Sequence, residues 1–211
     1  MTAADDRAWV AATFDVSRET LARLDVYVAL LARWSGAINL VARSTLDAVW
    51  RRHIADSAQL FALAPATART WIDLGAGAGL PALVIAALAQ GARRQMSLTA
   101  VESDTRKCAF MATAAREMGV AIDVRPARVE AVAGAFDVVS ARAFAPLPVL
   151  LAHAARLLAV DGVALFPKGA QAEGELTAAR ERWTFDLRRH PSVTDRQASI
   201  LAVREIVDGR S

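Results

Sequence analysis

The sequence predicts an α/β protein with a mostly parallel seven-stranded sheet, helices on both faces of that sheet, and a helical extension at the N-terminus. From Arg69 onward, short apolar runs alternate with helical patterns, which is typical of a parallel sheet. The first apolar run ends in a glycine-rich turn over residues 73–79, as strands that precede a ligand site often do. With 211 residues, 55% of them hydrophobic, the chain is sufficient for one large core.

Residues 1–65 have helical periodicity, and we expect them to pack on the core as an extension. Apolar residues recur at spacings of three and four within Ser17–Trp34, whose first residue is suited to cap a helix. A second helical pattern begins at Ser44–Asp47, which has the spacing of a capping box, and it ends before Pro65. Residues 66–211 are then the ligand-binding core, and the two parts form one compact unit.

The core contains seven predicted strands. They are Thr70–Leu74, Ser97–Glu102, Val120–Arg125, Phe136–Ser140, Val163–Phe166, Thr184–His190 and Ser199–Val207. Helical patterns lie between most of them, at Leu80–Gln90, Asp104–Met118, Leu147–Leu158 and Glu173–Arg182. A turn is expected at Asp161-Gly162, before the fifth strand. Because no helical pattern separates the last two strands, we expect them to form an antiparallel hairpin at one edge of the sheet.

Composition narrows the functional classes. The formal net charge is +3 and the positive charge is almost all arginine, which suits phosphate contacts but equally reflects a biased genome composition. The single cysteine, Cys108, excludes an internal disulfide and a cysteine-based zinc site. The polar N-terminus does not resemble a signal peptide, and the longest apolar run, Leu80–Ala89, is too short to cross a bilayer. A cytoplasmic enzyme without membrane contact is expected.

The glycine-rich turn indicates a nucleotide-like ligand. Gly75, Gly77 and Gly79 follow the first strand, where glycines allow a ligand to approach the backbone and the next helix presents its N-terminus. Dinucleotide enzymes use a G-x-G-x-x-G spacing to hold a pyrophosphate, whereas the spacing here is G-x-G-x-G. The preceding Asp73 would repel a pyrophosphate but suits the ammonium group of S-adenosylmethionine (AdoMet), directly or through water. AdoMet is therefore the predicted cofactor.

Two further positions fit that cofactor. Glu102 ends the second strand, where a carboxylate can accept hydrogen bonds from both ribose hydroxyls. Dinucleotide enzymes share this arrangement, so Glu102 indicates a ribose without identifying the rest of the ligand. Val129 and Glu130 follow the third strand, where their backbone groups are placed to contact an adenine.

Several motifs together resemble the bacterial small-subunit ribosomal RNA methyltransferase G family, also called RsmG or GidB. They are Trp34-Ser35-Gly36-Ala37-Ile38-Asn39-Leu40, His53-Ile54-Ala55-Asp56-Ser57, the turn with Leu80-Pro81, Val101-Glu102-Ser103, Phe136–Ala143 and Pro167-Lys168-Gly169. The resemblance covers nearly the whole chain. The chain departs from the family's usual residues at Ser35 and Ala82, which affects the expected loop geometry but not the class.

The resemblance implies a class I AdoMet-dependent methyltransferase with a Rossmann-like fold. It implies methyl transfer to N7 of one guanosine in 16S rRNA near the decoding site, within the 30S subunit or an assembly intermediate. By similarity, the AdoMet contacts fall on Gly75, Leu80, Val129, Glu130 and Arg142. A monomer is expected.

The residue types near the fourth strand fit that reaction. Methylation of carbon-5 of a pyrimidine requires a cysteine nucleophile, but Cys108 lies in the helix after the second strand, away from the end of the fourth strand. Methylation of exocyclic amines usually requires an Asn/Asp-Pro-Pro-aromatic motif after the fourth strand, where this chain has Ser140-Ala141-Arg142-Ala143-Phe144. Guanine N7 has a lone pair and no proton to lose, so alignment of the reactants is sufficient. We therefore expect no catalytic base, and Arg142 is the candidate positioning residue.

Contacts with RNA are expected from basic residues near the pocket, namely Arg43, Arg51, Arg52, His53 and Lys168. No metal site is expected, because His53 has no second ligand at metal-binding spacing. Three alternatives stay open from the residues alone: a methyltransferase for a small molecule or protein, a nicotinamide-dependent oxidoreductase, and an AdoMet-binding sensor without turnover.

Overall fold

A computed structural model describes residues 2–210 and contains one seven-stranded sheet. Its strands are β1 (Thr70–Leu74), β2 (Ser97–Glu102), β3 (Asp123–Pro126), β4 (Phe136–Ala141), β5 (Leu158–Lys168), β6 (Trp183–Pro191) and β7 (Ser199–Asp208). Their order is β3-β2-β1-β4-β5-β7-β6. The first five strands pair in parallel, and β7 pairs antiparallel with both β5 and β6. The predicted fold class and the antiparallel hairpin at one edge are confirmed.

Seven α-helices accompany the sheet in the described part of the chain. They are α1 (Ala3–Thr13), α2 (Arg18–Trp34), α3 (Asp56–Leu63), α4 (Ala82–Gly91), α5 (Thr105–Met118), α6 (Leu147–Leu157) and α7 (Ala172–Arg180). Ser17 caps α2 as predicted, and Asp104 caps α5 by accepting hydrogen bonds from two backbone amides. Gly119 ends α5 with a φ of +64°, a conformation that favours glycine.

Two helices of the N-terminal extension, α2 and α3, pack against α4. All residues from Ala82 to Ala89 are buried, because α2 and α3 cover the side of α4 that does not face the sheet. Leu24 of α2, Leu60 of α3 and Leu83 of α4 belong to one apolar cluster. The phenol of Tyr27 in α2 also donates a hydrogen bond of 2.8 Å to the carbonyl of Ala78, so the extension contacts the glycine-rich turn directly.

The helix predicted to begin near Ser44 begins later in the structure. Residues 43–45 form one turn of 3-10 helix, and a π-helical segment, Trp50–Ala55, then leads into α3. The capping box predicted at Ser44–Asp47 does not start this helix. Instead, the hydroxyl of neighbouring Thr45 donates a hydrogen bond to the Ala42 carbonyl and lies 2.8 Å from the Nε2 atom of His53.

Two strands differ from prediction by more than one residue at an end. Strand β3 is shorter, because the amide of Val120 completes the end of α5 by bonding to Ala115 and pairing with β2 starts only at Asp123. Strand β5 is longer, and the predicted turn at Asp161-Gly162 is an irregularity within it, where the register to β4 shifts. Arg204 of β7 donates a 2.7 Å hydrogen bond to the Asp161 carbonyl there.

Candidate functional site

The glycine-rich turn has its three predicted glycines in the left-handed region of φ, at +64° for Gly75, +57° for Gly77 and +85° for Gly79. A Cβ atom at Gly75 would lie 2.3 Å from the ring of Phe144, and one at Gly79 would lie 2.5 Å from the side chain of Leu83. At Gly77 the nearest atom to such a Cβ is the carbonyl oxygen of Gly75, at 3.9 Å. Gly75 and Gly79 are thus required by packing, whereas Gly77 faces open space.

Glu102 connects this turn to the end of β2. Its Oε2 atom accepts a 2.9 Å hydrogen bond from the Gly77 amide, and its Oε1 atom accepts one of 2.9 Å from the Asp104 amide. A carboxylate offers about four lone-pair positions, so both oxygens retain capacity for ligand hydroxyls.

A cavity of about 360 Å³ lies beyond the carboxyl ends of the parallel strands. Its walls include most of the predicted cofactor residues: Gly75, Gly77, Leu80, Glu102, Val129, Glu130 and Arg142. Leu40, Lys107, Arg128 and Phe144 also line it, and the sequence analysis did not select them. We refer to this space as the cofactor cavity.

Asp73 lies beneath the turn, fully buried. Its Oδ1 atom accepts a 2.7 Å hydrogen bond from Ser140, whose hydroxyl in turn accepts one of 2.8 Å from the indole of Trp71. Among the atoms that the structure describes, its Oδ2 atom has no partner with regular hydrogen-bond geometry, although the backbone of Ala82, like the Ser140 hydroxyl, favours the charged form of this carboxyl. Burial raises the pKa of Asp73 to about 7, against the opposing effect of the Ser140 hydrogen bond. A buried carboxylate with an unpartnered oxygen suits a cationic ligand group.

Arg142 follows β4 and is held by the extension. Its Nη1 atom lies 3.2 Å from Nδ1 of His53, 3.4 Å from the carbonyl of Arg52 and 3.7 Å from a carboxylate oxygen of Asp56. On the other side of the imidazole, Nε2 lies 2.8 Å from the Thr45 hydroxyl, which donates its proton to the Ala42 carbonyl. The arrangement therefore requires a neutral His53 with its proton on Nε2.

Burial is the main cause that lowers the pKa of His53 to about 4, and the charges of Arg142 and Arg52 act in the same direction. The imidazole therefore stays neutral near pH 7 and accepts from Arg142. His53 was predicted as an RNA contact, but it is buried and its ring nitrogens face Arg142 and Thr45. A positioning role for His53 follows from these contacts.

A second cavity of about 640 Å³ adjoins the first, and both are lined by Arg142, Ala143 and Phe144. We call it the acceptor-side cavity. The segment between β6 and β7 closes one side of it, because Asp56 accepts a 2.5 Å hydrogen bond from the Thr194 hydroxyl. Gln59 adds a 3.1 Å bond from the Val193 amide. The sequence showed Asp56 within the His53–Ser57 motif but gave no signal for its contact with Thr194, 138 residues away.

Lys168 lies at the floor of the acceptor-side cavity with only 10% of its side chain exposed. Its ammonium group forms a 2.7 Å ion pair with Glu175 and donates a 3.0 Å hydrogen bond to the Ala145 carbonyl. Glu175 also accepts a 2.6 Å hydrogen bond from the Leu147 amide. Lys168 and Glu175 therefore hold the segment that connects β4 to α6.

The other predicted RNA contacts are Arg43, Arg51 and Arg52. Arg43 and Arg52 are exposed, and Arg52 lines the acceptor-side cavity. Arg51 points toward α1, where it pairs with Asp6 at 3.0 Å and lies over the ring of Trp9. Within residues 2–210, no group of three His, Cys, Asp or Glu side chains is arranged to hold a metal ion. Over the same range, no helix is both long and apolar enough to cross a membrane.

Solved structures with a similar fold are methyltransferases. The magnesium protoporphyrin IX methyltransferase of Synechocystis PCC 6803, solved with bound AdoMet, superposes with a TM-score of 0.61 at 12% identity, over 85% of this chain and 97% of that one. The ribosomal protein L11 methylase of Lactobacillus delbrueckii subsp. bulgaricus gives 0.56 at 18% identity, over 70% and 75%. At these identities the comparison supports the fold, which is the predicted class I arrangement.

Sequence relatives are much closer. Residues 20–205 match the family model described as rRNA small subunit methyltransferase G, or GidB. The ribosomal RNA small subunit methyltransferase G of Methylobacterium nodulans is 51% identical over 206 residues, which cover 96% of this chain and 97% of that protein. The protein of the same name from Rhodospirillum centenum is 52% identical over 196 residues, covering 92% and 88%. The chain therefore belongs to the rRNA small subunit methyltransferase G family, which confirms the predicted resemblance and with it the class of AdoMet-dependent methyltransferases.

Proposed function

We propose that this enzyme transfers the methyl group of AdoMet to N7 of a specific guanosine in 16S rRNA, near the decoding site of the small ribosomal subunit. Family membership supports the rRNA substrate. The observation that supports methyl transfer is that the two cavities adjoin, because both are lined by the segment from Arg142 to Phe144. One cavity suits the methyl donor, and the adjoining one is open to an acceptor.

Several residues of this chain are suited to hold AdoMet. The unpartnered Oδ2 atom of Asp73 suits the ammonium group, Glu102 suits the ribose hydroxyls, and the open side of Gly77 leaves room for the ligand. The remaining proposed contacts that line the cavity are Gly75, Leu80, Val129, Glu130 and Arg142. Gly79, also proposed, does not line it and shapes the end of the turn. When bound, AdoMet supplies a methyl group on a sulfonium centre, which guanine N7 accepts through its in-plane lone pair without losing a proton.

The chain's contribution to this reaction is binding and alignment rather than proton transfer. His53 is neutral and accepts from Arg142, and the carboxylate of Glu175 is paired with Lys168. These groups fix the rigid rim between the cavities, and Arg142 is the proposed positioning residue there. Arg43 and Arg52 are exposed and suited to contact RNA phosphates.

We further propose that residues 1–65 and 66–211 act as one unit, since Arg142 of the core is held by Arg52, His53 and Asp56 of the extension. The enzyme is proposed to act as a cytoplasmic monomer on the 30S subunit or an assembly intermediate.

The direct test is transfer of a tritiated methyl group to 30S subunits that lack the modification, followed by mass-spectrometric mapping of the labelled nucleotide. Incorporation at N7 of one 16S guanosine is the expected result, and subunits already modified are the control. Binding of AdoMet without any incorporation into rRNA would instead favour a protein or small-molecule acceptor.

A further inference from the structure

Phe144 is the one exposed aromatic side chain among residues 2–210, at 40% exposure. Its ring lines both the cofactor cavity and the acceptor-side cavity. We propose that the acceptor-side cavity binds the nucleobase to be methylated, and that the ring of Phe144 stacks on this base. This inference rests on the proposed function, because it takes the acceptor to be a purine of rRNA.

The ring has a defined place at the junction of the cavities. It covers Gly75, where an added Cβ atom would lie between 2.3 and 3.0 Å from three ring atoms. The absence of a side chain at Gly75 therefore allows the ring to lie directly against the backbone of the cofactor turn. A base stacked on this ring is brought close to whatever occupies the cofactor cavity.

The backbone before the ring is strained. Ala143 has a φ of +52°, a region that residues with a Cβ atom adopt only at an energetic cost. Such conformations persist only where surrounding contacts hold them. Here Arg142 is held on one side by His53 and Arg52. On the other side, Lys168 holds the Ala145 carbonyl. The strained segment thus has fixed ends and directs Phe144 outward into the cavities.

The chemistry of the reaction suits a hydrocarbon ring at this place. Stacking on an aromatic side chain binds a base without using its edge atoms, so N7 stays accessible. Methylation at N7 leaves a positive charge on the purine, and an aromatic face attracts a cation. Phe144 therefore stabilises the base more as the positive charge develops, and it does so without contacting N7.

The test uses the full chain with saturating S-adenosylhomocysteine and measures the affinity for 7-methylguanosine 5′-monophosphate, a probe that carries the charged base. The two informative variants are Phe144→Leu, which retains bulk over Gly75 without an aromatic face, and Phe144→Tyr, which retains the face. Stacking is worth about 1–3 kcal/mol per base, so Phe144→Leu is expected to bind the probe at least about fivefold more weakly. Phe144→Tyr should stay near the wild type.

Two controls separate stacking from a change in folding or in the cofactor site. Val149→Ala alters an exposed apolar side chain on α6 that is outside both cavities, and it should leave the probe affinity unchanged. Calorimetry with AdoMet should show similar affinities for the wild type and Phe144→Leu. In methyl transfer to 30S subunits, Phe144→Leu should lower kcat more than Phe144→Tyr.

The outcomes separate this inference from the proposed function. Equal probe affinity and equal kcat in the wild type and Phe144→Leu would overturn the stacking role even if the wild type methylates 30S subunits. Absence of probe binding by the wild type would overturn it as well. A wild type that binds the probe through Phe144 but does not label rRNA would support the base site and contradict the proposed function.

Discussion

The two cavities of this enzyme are built in different ways. The cofactor cavity is formed by consecutive strand ends, and its central contact, from Gly77 to Glu102, spans 25 residues. The acceptor-side cavity is formed by parts that are far apart in the chain, since Arg142 meets His53 across 89 residues and Thr194 meets Asp56 across 138. The first is a local motif supported by a sheet, whereas the second exists only when the extension and the β6–β7 segment are both in place.

The largest expected effect concerns the cofactor side. In Gly77→Val the new side chain meets only the Gly75 oxygen, at 3.9 Å from its Cβ, so it enters the space proposed for AdoMet. We expect AdoMet binding to be lost by calorimetry, with far-ultraviolet circular dichroism unchanged. A valine at a φ of +57° also lowers the free energy of unfolding, by about 1–3 kcal/mol.

Gly119→Val is the matched control, because Gly119 has a φ of +64° and open space around it but lies at the end of α5. It should show a similar loss of stability and normal AdoMet affinity. Equal loss of AdoMet binding in both variants would mean that backbone strain, and not the cavity, determines the effect.

The second effect tests whether the cavities are separate. Arg142 lines both of them, so Arg142→Ala should weaken AdoMet binding and also raise the KM for 30S subunits. Hydrogen bonds to a charged group contribute about 1.5–3 kcal/mol, so we expect the Kd for AdoMet and the KM for 30S subunits each to rise roughly ten- to hundredfold. Arg125→Ala, which removes a partly exposed arginine paired with Asp123 and outside both cavities, is the control. A change in only one of the two measurements would assign Arg142 to one cavity.

This difference in construction explains which parts were predictable from sequence. Gly75, Gly77 and Glu102 were identified because a turn and the next strand end have fixed relative positions in a parallel sheet. Lys168 was expected to face RNA, and its pairing with Glu175 depends on how α7 returns to the sheet, which no local pattern encodes. The late start of the helix at Trp50 was also missed, because the Ser44–Asp47 spacing gave no sign that Thr45 would contact His53.

The third prediction compares how Asp73, beside the cofactor cavity, and His53, beside the acceptor-side cavity, make the stability depend on pH. The pKa of Asp73 is raised by burial to about 7, so the folded state binds its proton more tightly than the unfolded state, and this group's contribution to stability rises as the pH falls from about 7 to about 4. The pKa of His53 is lowered to about 4, so its contribution is complete above about pH 6.5 and is lost as the pH falls toward 4.

Urea unfolding of the wild type, Asp73→Asn and His53→Gln between about pH 4 and pH 7 measures how the free energy of unfolding changes with pH for each group. As the pH falls, the wild type should gain stability relative to Asp73→Asn and lose it relative to His53→Gln. If both differences changed in the same direction, the opposite environments of the two groups would be disproved. Because a bound ammonium group favours the Asp73 carboxylate, AdoMet binding near pH 7 should also release protons, which calorimetry in buffers of different ionisation enthalpy detects.

The smallest expected effect concerns Lys168, for which a structural contact and an RNA contact predict different results. If the ion pair holds the β4–α6 segment, Lys168→Ala and Glu175→Gln should each lower the free energy of unfolding by about 1–3 kcal/mol. Both variants should then raise the KM for 30S subunits by a similar factor of roughly two to five, and the double variant should be no worse than either one. If Lys168 instead contacts an RNA phosphate, only Lys168→Ala should raise the KM, and it should also reduce the salt dependence of RNA binding. We expect the first pattern, because an ammonium group already paired at 2.7 Å and bonded to the Ala145 carbonyl must break these contacts before it reaches a phosphate.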